Sequence, residues 1–167
     1  KRPTKKHHKR FYLTQHLHNL DLVDFQELTD LVMQETHKCK GEVSALHKIK
    51  EAAHKHFTRE ICGFLGYDHQ NKEFIIQLED NASEDPKSYF LINPLSYLLF
   101  KDSYDMVAVF HSHIIGDETE SEFDMKMSDN CCQPFLIYSL NTKKINIYTP
   151  ETIEADVNIL ERIKAVA

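Results

Sequence analysis

The stretch Met106-Val-Ala-Val-Phe-His-Ser-His-Ile-Ile-Gly-Asp-Glu-Thr-Glu-Ser-Glu-Phe-Asp124 decides how the rest of the chain is interpreted. Its apolar beginning predicts a buried strand that ends in two histidines, His111 and His113. In an extended strand, residues i and i+2 lie on one face, so both imidazoles face a single point. Seven residues separate His113 from Ser121, and Asp124 follows three positions later. If a helix begins near Ser121, these last two side chains share a face of it.

Two histidine nitrogens and one carboxylate oxygen at these positions make a three-ligand site with an open fourth position. A catalytic zinc requires this arrangement, because the open position holds the water that becomes the nucleophile. The pattern therefore predicts that His111, His113 and Asp124 bind one zinc ion, although other divalent metals accept similar ligands. The His-x-His pair and the Ser-x-x-Asp sequence each have a simpler explanation when taken alone. The chain contains eleven histidines, most of which are expected to be ordinary surface or core residues. Ser121-x-x-Asp124 also matches a helix-capping signature.

A second segment, Arg59-Glu-Ile-Cys-Gly-Phe-Leu-Gly66, places an acidic residue immediately before a short apolar strand. Taken together, Glu60, the His-x-His pair and the Ser-x-x-Asp sequence resemble the motif of the JAMM (MPN+, Mov34/JAB) zinc metalloprotease family. The resemblance extends from about Val43 to Tyr148. The compactness of the chain favours a small prokaryotic or phage-type member of that family.

The resemblance implies the MPN fold, a cytidine-deaminase-like α/β layered fold with a mixed central sheet flanked by helices. Residues 41–167 are expected to form this catalytic domain. A basic flexible tail (1–10) and an N-terminal helical extension (11–40) are expected to precede it. The amphipathic pattern from Asn19 to Thr36 predicts one extra helix in that extension.

The resemblance also implies an enzyme that hydrolyses an amide or isopeptide bond at the C-terminus of ubiquitin or a ubiquitin-like modifier. Glu60 is then the general base that activates the metal-bound water and protonates the leaving amine. Ser121 is the donor to the oxyanion. The second ring nitrogen of each ligand histidine is expected to contact a backbone or carboxylate oxygen. The alternatives are an assembly or maturation factor of a phage or conjugation system with a dedicated substrate, and a non-catalytic MPN scaffold.

Two positions depart from the family pattern, with Ile114 and Glu120 where proline is usual. The resemblance therefore does not predict the path of the loop between them. Acidic residues are concentrated around this loop: Asp117, Glu118, Glu120 and Glu122. They either keep an exposed loop solvated or attract a substrate peptide with basic residues, such as the arginine-bearing tail of a ubiquitin-like modifier.

Hydrophobic periodicity and turn signals predict the remaining elements. They are a helix capped by Ser44, hairpins over residues 61–78 and 135–148, a helix from Pro94 and a closing helix over 152–166. Strands interleaved with helices in this way indicate an α/β layered fold.

Composition narrows the class of protein further. The 167 residues carry a net charge of −6, yet six of the 20 Lys and Arg residues lie in the first ten positions, which leaves the remainder strongly acidic. An acidic body argues against sequence-specific nucleic-acid recognition, while the basic tail is either solvated or a non-specific anchor. No apolar run reaches the roughly 18–20 residues that a membrane span requires. A soluble cytoplasmic protein with reduced cysteines is the resulting expectation.

Overall fold

A computed structural model of the chain describes residues 35–167. These residues form a mixed six-stranded β-sheet with helices on both faces. The strands are β1 (Thr36–Cys39), β2 (Cys62–Asp68), β3 (Glu73–Glu79), β4 (Asp105–His113), β5 (Phe135–Ser139) and β6 (Ile145–Tyr148). The helices are α1 (Glu42–Lys55), α2 (Pro94–Ser103), α3 (Glu122–Cys131) and α4 (Val157–Lys164).

The strand order in the sheet is β1-β3-β2-β4-β5-β6. Neighbouring strands are antiparallel except β4 and β5, which are parallel. Parallel neighbours need a crossover connection, and α3 supplies it. The crossover brings the first turn of α3 to the C-terminal end of β4, where the two predicted ligand histidines lie. The α/β class predicted from the sequence is confirmed.

Two apolar layers cover the faces of the sheet. On one face, α1 and α4 contribute buried residues that include Ile49 and Leu160. On the other face, α2 and α3 contribute residues that include Phe100 and Met127. β4 is buried along almost its whole length because it lies between both layers. The histidines at its end therefore project from one of the most constrained strands of the sheet.

Close packing near the start of β2 depends on the glycine at position 63. A Cβ atom there would lie 2.1 Å from the Gln77 carbonyl oxygen and 2.6 Å from the Phe110 ring. No side chain fits these distances, so Gly63 allows β2 to approach its neighbours directly below the predicted site.

Both hairpins, the helix that begins at Pro94 and the helix capped by Ser121 lie within one residue of their predicted positions. The cap of α1 differs from the prediction, because Gly41 rather than Ser44 is the N-cap. The Ser44 hydroxyl lies in the first turn and donates to the Gly41 carbonyl oxygen at 3.0 Å.

The closing helix is shorter than the predicted range of residues 152–166. α4 begins at Val157 because the Asp156 carboxylate accepts a hydrogen bond from the Ile159 amide at 3.1 Å and caps the helix there. The apolar spacing upstream of Asp156 therefore continues into irregular backbone rather than into another helical turn.

Strand β1 corrects the predicted N-terminal boundary. It pairs antiparallel with β3, from Thr36 opposite Gln77 to Cys39 opposite Phe74. The end of the predicted helical extension (11–40) is therefore a strand of the main sheet. Four mostly polar residues carry too little periodicity to predict a strand from sequence. Residues 11–34, with most of the predicted extra helix, and the basic tail lie outside the described residues.

No helix between residues 35 and 167 combines the length and apolar character needed to cross a lipid bilayer. The cysteines in this range are free thiols, of which Cys39 is half-buried and Cys62, Cys131 and Cys132 are buried.

Candidate metal centre

The buried cluster, consisting of His111, His113 and Asp124, forms where the end of β4 meets the first turn of α3. His111 Nε2 is 3.0 Å from Asp124 Oδ1, and His113 Nε2 is 3.1 Å from Asp124 Oδ2. The two Nε2 atoms are 3.3 Å apart. The structure thus brings together the three side chains whose spacing predicts a metal site, in an arrangement that could hold a metal ion.

The strand and the helix cap each determine part of this geometry. His111 is fully buried and stacks on Phe90 with ring centroids 4.4 Å apart, whereas the His113 side chain is 12% exposed. The Ser121 hydroxyl accepts a hydrogen bond from the Asp124 amide at 3.0 Å, and the Asp124 carboxylate accepts one from the Ser121 amide at 3.0 Å. This capping box holds the carboxylate against the histidines.

The hydrogen bonds of His113 determine which ring nitrogen carries a proton. Nδ1 lies 2.7 Å from the Asp117 carbonyl oxygen, and because a carbonyl oxygen only accepts, Nδ1 must be the donor. In the neutral ring, Nε2 then presents a lone pair toward the Asp124 carboxylate and His111 Nε2. Electron-rich atoms converge on one region, which a proton or a metal cation has to occupy. The residues present therefore fit a divalent metal ion.

Within residues 35–167, the second ring nitrogen of His111 has no contact like the one between His113 Nδ1 and the Asp117 carbonyl oxygen. The expectation of a backbone or carboxylate partner is confirmed for His113 but is wrong for His111, whose Nδ1 is buried without a hydrogen-bond partner in the described part of the chain. Aromatic contacts hold the ring instead, with Phe90 stacked on it and Phe135 in an edge contact at 5.6 Å.

Burial and neighbouring charges shift the ionisation of each group in the cluster. Burial raises the pKa of Asp124, but His111 and His113 lower it by more, so it lies far below its usual range. Burial lowers the pKa of His111 despite the Asp124 carboxylate. Burial lowers the pKa of His113 as well, but Asp124 and the Asp117 carbonyl outweigh this and raise it overall. An ionised carboxylate and a neutral His111 are the forms that bind metal.

Glu60 lies beside the cluster, just before β2. It is 5% exposed, and its charge interacts with those of His113 and Asp124. Burial raises the pKa of Glu60 to about 8; His113 lowers it, while Asp124 and Asp85 raise it. A bound divalent cation would lower this pKa toward neutrality. A carboxylate of this kind suits proton uptake and release within one catalytic cycle.

Two polar residues that sequence reasoning missed hold the backbone at and next to Glu60. The buried Ser112 hydroxyl accepts a hydrogen bond from the Ile61 amide at 2.8 Å, and the Ser112 amide donates to the Ile61 carbonyl oxygen at 3.0 Å. The side-chain amide of Asn81 donates to the carbonyl oxygens of Glu60 and Tyr89, at 3.0 and 2.9 Å. Neither residue belongs to a periodic pattern, so only the tertiary contacts reveal these roles.

The loop that follows His113 is fixed by the β5–β6 hairpin. The Asn141 side chain donates to the carbonyl oxygens of Ile114 and Gly116, at 3.3 and 2.8 Å. The Ser139 hydroxyl also donates to Gly116, at 3.0 Å. Gly116 has a φ of 82°, a conformation that favours glycine. The loop thus follows a defined path without a proline at position 114.

Two acidic residues of this loop bind the same hairpin. The Glu118 carboxylate accepts a hydrogen bond from the Thr142 hydroxyl at 2.5 Å, and the Glu120 carboxylate accepts one from the Asn146 side chain at 2.8 Å. Asp117 is exposed, and its carbonyl oxygen is the contact of a ligand histidine. These acidic residues therefore hold the loop in place in addition to giving it charge.

A second group of similar side chains, the surface cluster, lies at the opposite end of β4 and consists of His69, Asp105 and Asp156. His69 Nε2 is 3.0 Å from Asp105 Oδ2 and 2.9 Å from Asp156 Oδ2. The side chains of His69 and Asp105 are 56% and 58% exposed. The sequence gives no signal for this cluster, because its members come from three distant segments.

Comparison with protein-family models finds no match, and comparison with curated proteins finds none either. Among solved structures, the chain is similar to a Desulfitobacterium hafniense protein whose structure was determined in solution. The two share 22% identity over 61% of this chain and 75% of the other, with a TM-score of 0.46. A likeness at this level indicates neither a family nor an activity.

Proposed function

We propose that the chain is a zinc-dependent metallo-isopeptidase or peptidase of the JAMM (MPN+) type. Its substrate is an amide or isopeptide bond at the C-terminus of ubiquitin or a ubiquitin-like modifier. One observation carries the proposal: two histidine nitrogens from a strand end and a carboxylate from a helix start converge, with the buried Glu60 beside them. The mixed sheet between two helical layers is compatible with the MPN fold, which belongs to the same proposal.

His111, His113 and Asp124 are the residues that would hold the metal. Two nitrogens and one oxygen suit zinc, and three protein ligands leave a position open for water. When bound, zinc supplies the Lewis acidity that lowers the pKa of water from 15.7 toward about 7. The capping box of α3 and the Asp117 carbonyl orient two of the three ligands before a metal binds.

Glu60 accepts the proton of the attacking water and delivers it to the leaving amine. Its position supports this role, because the Asn81 amide holds the Glu60 carbonyl oxygen and Ser112 holds the adjacent Ile61. General acid–base catalysis of this kind typically contributes about 10²–10⁴ in rate.

Ser121 donates a hydrogen bond to the oxygen that becomes negatively charged. In the structure its hydroxyl accepts from the Asp124 amide, and a hydroxyl that accepts in this way retains its own proton to donate. Loss of one such donor typically lowers the rate by about 10²–10³.

The proposal is tested by measuring zinc content and hydrolysis on the same preparations of wild type, Glu60→Ala and His113→Ala. The substrates are C-terminal amides and isopeptides of ubiquitin and ubiquitin-like proteins. We expect near-stoichiometric zinc in wild type and Glu60→Ala but not in His113→Ala, with cleavage by wild type only.

The other outcomes separate the alternatives. Zinc without cleavage of any substrate would favour an assembly or maturation factor with a dedicated substrate. Absence of zinc from the wild type after reconstitution would overturn the proposal and favour a non-catalytic scaffold.

A further inference from the structure

The loop between β3 and α2, residues 80–93, contains neither helix nor strand, yet it contacts two residues at the candidate metal centre. Backbone polar groups in such a loop must find partners outside a helix or a strand ladder. The side chain of Asn81, at the start of the loop, is one of those partners, and only 8% of this residue is exposed. A buried amide is normally hydrogen-bonded, so its partners indicate what it holds in place.

The first of the two residues is Glu60, whose backbone is held by the loop rather than by the sheet. Its amide donates to the Pro86 carbonyl oxygen at 2.7 Å, and its carbonyl oxygen accepts from the Asn81 side chain at 3.0 Å. Strand β2 begins only at Cys62. The Glu60 side chain makes no hydrogen bond or ion pair with any residue from 35 to 167. The position of its carboxylate therefore depends on backbone contacts, one of which is the contact with Asn81.

The second residue is His111, which the loop reaches through Phe90. The Phe90 ring stacks on the His111 ring with centroids 4.4 Å apart, and His111 Nδ1 has no hydrogen-bond partner among residues 35–167. Asn81 holds the backbone on both sides of Phe90. Its Nδ2 donates to the Tyr89 carbonyl oxygen at 2.9 Å, and its Oδ1 accepts from the Leu91 amide at 3.2 Å. The ring that orients this ligand is thus attached to backbone that Asn81 fixes.

These contacts use the full hydrogen-bonding capacity of the Asn81 side chain. A primary amide has two N–H donors and an oxygen that accepts two hydrogen bonds. The donors meet the carbonyl oxygens of Glu60 and Tyr89. The oxygen meets the amide of Ser83, at 3.0 Å, and that of Leu91. Because one planar group makes all four contacts, a change at Asn81 displaces Glu60 and the backbone around Phe90 together.

We propose that Asn81 is a positioning residue that keeps Glu60 and, through Phe90, the His111 ring in a fixed arrangement. It neither binds the metal nor takes part in the chemical step. The inference rests on the proposed function, because this arrangement affects a rate only where Glu60 transfers the proton and His111 binds the metal.

The test compares the full chain as wild type and Asn81→Ala. If Asn81→Ala does not fold, Asn81→Ser, which retains one donor and one acceptor, takes its place. The matched control is Ser83→Ala, which removes a hydrogen bond of the same loop, from the Asp85 amide at 3.1 Å, without changing a side chain that contacts Glu60 or Phe90. NMR follows the His111 ring and the Glu60 carboxyl carbon in the zinc-free protein. Competition with a chelator measures zinc affinity, and kcat and KM are measured at saturating zinc with the ubiquitin and ubiquitin-like substrates.

In Asn81→Ala we expect both NMR signals to move and zinc affinity to fall about tenfold. The kcat should fall about 10²-fold with little change in KM, because a small displacement of a reacting group lowers the rate of the chemical step. Ser83→Ala should match wild type in all of these measurements. In a Phe90→Leu background, Asn81→Ala should cause little further loss of zinc affinity, because both changes act on the same ring.

Three results would overturn the inference. They are an unchanged His111 signal and zinc affinity in the Asn81 variant, equal effects of Ser83→Ala, and a loss of zinc affinity that adds in full to that of Phe90→Leu. A loss of activity carried by KM rather than by kcat would also contradict it. Failure of the wild type to bind zinc or to hydrolyse any substrate would contradict only the proposed function, since the NMR signals of the zinc-free protein test the positioning without either.

Discussion

The two ends of strand β4 carry clusters of nearly the same chemistry in opposite environments. The shortest nitrogen–oxygen distances are 3.0 and 3.1 Å in the buried cluster and 3.0 and 2.9 Å in the surface cluster. The buried cluster has side chains at most 12% exposed, whereas two side chains of the surface cluster are more than half exposed. Proximity of ligand atoms therefore does not distinguish the two.

Supporting contacts do distinguish them. In the buried cluster, the capping box orients Asp124, the Asp117 carbonyl determines the proton position of His113, and Phe90 stacks on His111. In the surface cluster, two carboxylates share one exposed imidazole, an arrangement that water and salt weaken. The comparison indicates that preorganisation and exclusion of water make the first cluster the candidate metal centre.

The sharpest test of the comparison replaces one carboxylate in each cluster by its amide. Asp124→Asn removes a metal ligand and should lower zinc affinity by more than about 10²-fold, since even supporting contacts contribute about 10–100-fold. Asp156→Asn should leave zinc content unchanged, because asparagine retains the α4 cap. Zinc titration by calorimetry measures both. Equal losses in the two variants would show that burial does not separate the clusters.

The two helix caps provide a second test, because Ser121 caps α3 at the buried cluster and Asp156 caps α4 at the surface cluster. Ser121→Ala and Asp156→Ala should each destabilise the fold by about 1 kcal/mol. Only Ser121→Ala should also lower kcat, by about 10²–10³, with zinc content retained. Unfolding curves and kinetics on the same samples check this, and an equal kcat in the two variants would contradict the oxyanion role of Ser121.

Removing a contact to the loop beside the buried cluster should have a smaller effect on zinc binding. Asn141→Ala removes two hydrogen bonds to the loop that presents the Asp117 carbonyl to His113, and it should weaken zinc binding about tenfold. Asn71→Ala, in the turn beside the surface cluster, removes a comparable contact to Asp68 and should have no effect on zinc. Competition with a chelator measures both variants. Unchanged zinc affinity in Asn141→Ala would show that the loop does not support the ligand.

The smallest expected effect concerns the surface cluster alone. Burial raises the pKa of Asp156, but His69 and the Ile159 amide lower it below 3.8 overall. A carboxylate whose pKa is lowered on folding stabilises the fold above its unfolded pKa, and this contribution is lost as the pH falls through the folded value. His69→Ala should therefore lower the free energy of unfolding by at most about 1 kcal/mol at pH 5. Below pH 3.8 the variant and the wild type should differ by less. Urea unfolding at both pH values checks this, and a loss that is independent of pH would contradict it.

Local patterns in the sequence account for much of the fold and for the core of the site. The i, i+2 spacing of His111 and His113 and the i, i+3 spacing of Ser121 and Asp124 are properties of one strand and one helix turn. Both hairpins and the start of α2 at Pro94 are equally local. The strand at residues 36–39 was not predictable in this way, because pairing with β3 rather than its own pattern makes it a strand.

The sequence by itself determined which residues can act as ligands, because periodicity within one strand or helix turn aligns their side chains. Only the tertiary structure decided which of these groups meet and in what environment. The register of β2 against β4 brings Glu60 to the histidines, and the β5–β6 hairpin fixes the ligand loop. Burial then separates two clusters of similar composition. These outcomes depend on contacts between distant segments, and no local pattern encodes them.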